Sequence, residues 1–199
     1  MRVFGAPAIV WLASLAMGNA HGQGFTFAGF QRDMDLAALL ERYPQSSHDV
    51  TPGAGVRRRT SQDDLKTWMR EFFHAPGSNG TYVLRLTPNE SQEHLYYVQA
   101  EVRQGVTERL WLLLEMPADP GKPGQSIEAR YPACDAVLGP LTAKYGKPEA
   151  LPPRWEEGVQ SFNYVWTSAP ETMKLECWRY AGRESMFAIG VTLERMGAR

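Results

Sequence analysis

The residue types that could carry chemistry in this chain are few and scattered. The four histidines, His21, His48, His74 and His94, show no ligand spacing such as HExxH. That spacing would put two imidazoles one helical turn apart on one face, so no metal and no cofactor are expected. Asp33-x-Asp35 could hold a cation or form a carboxylate pair, but acids just before an apolar helical run serve more simply as caps. Asp63-Asp64 falls in the first turn of a predicted helix, where the dipole favours negative charge. No GxSxG elbow is present and no serine has a recognisable base partner. Gly53-Ala-Gly55-Val-Arg-Arg superficially resembles a phosphate loop, yet it lacks a third glycine, a preceding strand and an immediate helix. Arg57, Arg58 and Arg59 form the candidate anion contact, since guanidinium forks suit an acidic headgroup or an acidic partner. The plainer reading of that run is solvated charge.

Cys134 and Cys177 are the only cysteines. They form no CxxC pair and have no nearby His to lower a thiol pKa. In an oxidising compartment they read as one disulfide, worth on the order of 4 kcal/mol in the chain-entropy model. Two buried free thiols or one reactive cysteine are the alternatives. The compartment follows from the start of the chain. Arg2, the apolar run Val3 to Met17 and the small residues Gly18-Asn19-Ala20 have the three parts of a cleavable secretory signal. Pro7 interrupts the run, which is shorter than the roughly 20 residues that span a bilayer. Cleavage near Ala20 would leave a soluble periplasmic or secreted bacterial protein with no transmembrane anchor. With His21 and no Cys directly after the cut, lipid attachment is not expected. A net charge of −1 over 199 residues offers no long-range attraction to nucleic acid.

The elements that must position these residues alternate between two periods. Residues 33–43 read as a helix, with Leu36, Leu39, Leu40 and Tyr43 on one face and Pro44 as the stop. Residues 44–60 read as a polar loop. From Ser61, the residues Leu65, Trp68, Met69, Phe72 and Phe73 mark a second, strongly amphipathic helix. Strands are predicted over 81–87, 94–103 and 107–116, the last two as a hairpin about Gln104-Gly105. Residues 117–132 are rich in proline and glycine and read as a linker. Beyond it, Cys134, Val137 or Leu138, Leu141 and Tyr145 share a helix face that Pro140 could split. A loop at 147–158 and strands at 160–167, 173–180 and 185–196 follow.

The expected class is therefore α+β, with helices packed on antiparallel β-meander sheets. The domain reading is residues 1–20 as signal, 21–116 as an N-terminal α+β unit with an inserted helix, 117–132 as linker, and 133–199 as a C-terminal unit holding the disulfide. Each half reads as an α-β-β-β unit, a weak sign of duplication. If Tyr96, Val98, Ala100 and Val102 face the core, Leu95 and Tyr97 point outward. Trp111 and Leu113, and then Trp178 and Tyr180, do the same. An antiparallel sheet with one wet face should be polar there. Tyr97, Trp111, Leu113, Trp178 and Tyr180 are thus the candidate binding surface, unless helix 61–74 or the other half covers them.

The segment Phe30-Gln-Arg-Asp-Met34-Asp-Leu-Ala-Ala-Leu-Leu-Glu-Arg-Tyr-Pro44 resembles the helix opening of small helix-plus-meander modules of the bacterial envelope, and Leu141-Thr-Ala-Lys-Tyr-Gly-Lys-Pro148 resembles their helix ending. Such modules occur singly in a small lipoprotein of the outer-membrane barrel-assembly machinery and in tandem in β-lactamase-inhibitor-like proteins. About 30 residues are covered. Asp33 stands where those modules have Gly, and the first half carries a long insertion. The resemblance implies protein binding through sheet and loop surfaces. The expected function is that of an exported, non-enzymatic protein that binds an envelope protein or component, with no enzyme activity. A hydrolase with a dispersed site, or a small-ligand carrier, is the alternative.

Overall fold

In a β-strand successive side chains point to opposite faces, and the apolar residues of 95–114 and 159–195 are spaced to bury one face. In the computed structural model, which describes residues 24–52, 75, 77–86, 95–114, 134–182 and 186–197, they do so in one large sheet. The chain opens with a short ribbon, β1 (Thr26–Phe27) against β2 (Phe30–Gln31), followed by helix α1 (Ala38–Arg42). Four strands come next: β3 (Ser47–Pro52), β4 (Gly80–Arg85), β5 (Leu95–Arg103) and β6 (Val106–Leu114). Helix α2 (Cys134–Tyr145) then precedes β7 (Glu149–Glu156), β8 (Val159–Ser168), β9 (Glu171–Tyr180) and β10 (Met186–Arg195). The sheet order is β3-β4-β5-β6-β10-β9-β8-β7, antiparallel throughout. Two four-stranded meanders thus meet where β6 pairs with β10.

The fold is β-rich, and the expected antiparallel sheet is present. The expectation of α+β balance is not met among the described residues, because the helices there are short. The helix predicted over 33–43 forms only at 38–42; bonds from Ala38, Leu39 and Leu40 to carbonyls three residues back draw residues 35–40 tight. Asp35 does not cap a long helix; its Oδ1 accepts from Ala37 N at 2.9 Å, a local turn. Leu36, Leu39, Leu40 and Tyr43 are buried as their spacing required. Pro140 lies inside α2 without breaking it, on an exposed side of the helix. The predicted helix at 61–74, the signal at 1–20 and the linker at 117–132 lie outside the described residues.

Among the described residues each half of the large sheet has four strands, where three were expected. The supposed loop at 44–60 contains β3, and the loop at 147–158 contains β7. Both are sheet edges, where one side needs no partner and apolar alternation is not required. β7 even carries Pro152 and Pro153, tolerated at an edge, where its register with β8 shifts between Leu151 and Arg154. The hairpin about Gln104-Gly105 is as predicted. Its two turn residues have φ of 51° and 76°, and Glu157-Gly158 between β7 and β8 has 49° and 80°. Positive φ at both central residues gives the turn whose twist matches the flanking strands.

On the inner face, Tyr82, Leu84, Val98, Leu110, Leu112, Met173, Leu175, Val191 and Leu193 are fully buried. They share one core with Phe25, Phe27 and Phe30 of the N-terminal ribbon, Leu39 and Leu40 of α1, and Val137 and Leu141 of α2. Cys134 at the start of α2 and Cys177 in β9 form the expected disulfide, their Cα atoms 5.9 Å apart. Two charged groups also enter this face. Glu171, 2% exposed, accepts from Phe25 N and from Arg32 Nε at 3.1 Å, and the Arg32 guanidinium also donates to Thr107 O at 2.8 Å. The ribbon is thereby fastened to β9 and β6.

Tyr82 places a phenol in the core. Its hydroxyl lies 2.9 Å from His48 Nδ1, while His48 Nε2 lies 2.8 Å from Tyr43 O. A carbonyl only accepts, so Nε2 carries the proton and Nδ1 accepts from the Tyr82 hydroxyl. Burial pushes the Tyr82 phenol far above its ordinary value of 10.0. The folded state then holds this proton more tightly than the unfolded state does. The stability it confers is complete below about pH 10 and falls as pH rises beyond, because only the unfolded chain ionises there. Urea midpoints measured between about pH 8 and about pH 11 should show this loss. The Tyr82→Phe variant should lose less over the same interval, and equal slopes would remove Tyr82 as the cause.

Candidate functional site

The outer face of the sheet is set by the same register. Arg85, Tyr97, Leu113, Gly190, Glu176 and Asn163 form one row across β4, β5, β6, β10, β9 and β8. Gln99, Trp111, Thr192 and Lys174 form the next. Tyr97, Trp111, Leu113 and Trp178 are each partly exposed on this face, and Tyr180, at the end of β9, is 50% exposed. The bulge in β5 between Leu95 and Tyr97 puts Leu95 in register with Leu114, a residue of the buried face.

Gly190 sits at the centre, in the strand that joins the two meanders. A Cβ there would lie 2.6 Å from Trp178 Cη2 and 3.1 Å from Trp111 Nε1. Two indoles, one from each half of the sheet, converge over a backbone that has no side chain to separate them. Tyr97 meets Trp111 edge-on with ring centroids 5.5 Å apart, and its hydroxyl donates to Gln99 Oε1 at 3.0 Å. The Arg85 guanidinium lies 5.7 Å from the Tyr97 ring centre, within cation–π range. The result is an aromatic strip from Arg85 to Trp178 across the middle of the sheet.

The flanks of the strip are charged and internally paired. Arg109 reaches Glu194 at 3.1 Å and Glu101 at 3.5 Å, and Lys174 reaches Glu176 at 2.6 Å. The hydrogen bond that Arg109 donates to Glu194 raises the Arg109 pKa above its ordinary value, with burial opposing and Glu101 adding. Arg109 is therefore a fixed charge. Farther along the row, Asn163 is 4% exposed, and its Oδ1 has no hydrogen-bond partner among the described residues. This arrangement can offer apolar contact area and fixed charges of both signs. Among the described residues no three His, Cys, Asp or Glu side chains come together as a metal site, and no helix there is long and apolar enough to cross a membrane.

Of the residues singled out from sequence, Tyr97, Trp111, Leu113 and Trp178 are brought together. Tyr180 shares their face but lies farther along β9, and Arg57, Arg58 and Arg59 lie outside the described residues. Gly190 was missed, although an isolated glycine in an alternating strand signals close approach of another group. Also missed was a polar cleft of about 420 Å³ lined by Asn79, Arg103, Gln104, Glu108, Arg195 and Met196. Its residues come from separate elements, so no spacing announces it. No family model, curated protein or solved structure matches the chain.

Proposed function

We propose that this chain is an exported, non-enzymatic binding protein of the bacterial envelope that docks a partner protein on the outer face of its sheet. One observation carries the reading. The strip Tyr97–Trp111–Leu113–Trp178 occupies the side of an antiparallel sheet where polar residues are expected. Tryptophan and tyrosine dominate binding energy at protein interfaces, ringed by polar contacts that exclude water. The paired charges of Arg109 and Lys174 would form such a ring here. Export is in keeping with the disulfide, since such bonds persist in oxidising compartments.

The test is recovery of partners from envelope extracts by the wild-type chain and by Trp111→Ala and Trp178→Ala, each checked for native circular dichroism. A hot-spot residue costs about 2 kcal/mol or more when truncated, so each variant should recover its specific partner on the order of thirtyfold less efficiently. Equal recovery by all three proteins would sink the proposal.

A further inference from the structure

The polar cleft lies at one end of the central strands, away from the aromatic strip. Its walls are fixed by backbone and amide bonds. At the β5–β6 turn, Gly105 N donates to Ser78 O at 2.9 Å and Gln104 N to Asn79 Oδ1 at 3.1 Å. These bonds hold the root of Arg103. Across the cleft, Met196 N donates to Pro170 O at 2.9 Å and holds the root of Arg195. Glu108 arrives by a third route. Glu101 pairs with Arg109 and Val102 with Thr107, so Glu108 is the extra residue of a bulge. Bulges re-aim side chains; the Glu108 carboxylate, its side chain 17% exposed, pairs with Arg195 at 3.4 Å.

The charges of this cleft do not balance. Arg195 shares Glu108, while the Arg103 guanidinium has no ion pair among the described residues. A guanidinium is planar, always charged and weakly hydrated, with donors spaced to match the oxygens of a phosphate group. We infer that the cleft is a phosphate-binding site, in which Arg103 provides the primary contact and Arg195 a second, competed for by Glu108. The phosphate could belong to a free small molecule or to a lipid headgroup, and both present the same oxygens to the two arginines. The turn backbone cannot supply the contact, because its Gln104 and Gly105 N–H groups are already used.

The full chain would be titrated with inorganic phosphate at constant ionic strength, following amide shifts by nuclear magnetic resonance. Phosphatidylglycerol vesicles would be tested in parallel by co-sedimentation. Saturable shifts confined to residues 79, 103–108 and 195–197 are expected, weakened about tenfold by Arg103→Gln, a scale set by charge-assisted hydrogen bonds. Glu108→Gln should tighten binding several-fold by releasing Arg195, an effect that general charge screening would not single out. Arg154→Gln, an exposed cation on β7, should change nothing. Vesicle binding lost in Arg103→Gln, with no phosphate shifts, would support the site and assign it to a headgroup. Absence of saturable binding to either probe, or binding indifferent to Arg103→Gln, would overturn the site. Neither result bears on the aromatic strip.

Discussion

Replacing Arg32 with Ala is expected to destabilise the fold by about 3–5 kcal/mol, the usual cost of leaving a buried charge without its partner. Glu171 is the charge in question. Its side chain is 3% exposed and that of Arg32 13%, so water cannot take over the hydrogen bonds that Arg32 makes. The loss would be a large share of the roughly 5–15 kcal/mol that holds a domain together. Glu171→Ala should cost a similar amount by another route, since Phe25 N loses its acceptor and Arg32 keeps only Thr107 O. Glu171→Gln retains an acceptor for Phe25 N and should cost less than Glu171→Ala. Because both single variants break one network, Arg32→Ala with Glu171→Ala should cost less than the sum of the two. Urea denaturation would measure all four, and a loss under about 1 kcal/mol for Arg32→Ala would mean the pair is no better than a surface one.

The pair shows why sequence reading reached the sheet but not what fastens the ribbon to it. Alternation is a local signal, and it revealed most of β4, β5, β6, β8, β9 and β10, including the inward sets Met173-x-Leu175-x-Cys177 and Ile189-x-Val191-x-Leu193, now seen buried. Glu171 and Arg32 are far apart in the chain, and neither has a neighbour in sequence that marks it as buried. The missed strands β3 and β7 have a common cause. An edge strand pairs on one side only, so Ser47-His-Asp-Val50 and Glu149-Ala-Leu-Pro-Pro153 meet too little core to show alternation. Both follow a helix and open a meander, so one blind spot removed the equivalent strand from each half.

The aromatic strip was legible for the reason the edges were not. Trp111, Leu113 and Trp178 are apolar residues out of phase with a well-determined inner face, and that conflict is visible without coordinates. What the residues could not show is convergence. Trp111 and Trp178 meet only because β6 and β9 both flank β10, and because residue 190 is glycine. The cleft around Arg103 and Arg195 was invisible for a similar reason, since three separate elements and a bulge build it.

Removing the disulfide with Cys134→Ala and Cys177→Ala together is expected to cost on the order of 4 kcal/mol, given a closed loop of 43 residues. The bond ties the first residue of α2 to a strand that is fully buried at that point. α2 has reason to need the tie. Its 12 residues are near the lower limit for an isolated helix, and proline in a helix interior costs about 3 kcal/mol through a lost backbone bond. Pro140 thus takes from the helix roughly what the cross-link returns by restricting the unfolded chain. The double variant should unfold at lower urea with a steeper dependence on denaturant, because an unfolded chain without the loop exposes more surface. Wild-type protein held reduced should behave as the double variant does, which separates the cross-link from the loss of two buried sulfurs. A loss under about 1 kcal/mol in both would show that Val137 and Leu141 seat α2 on the sheet unaided.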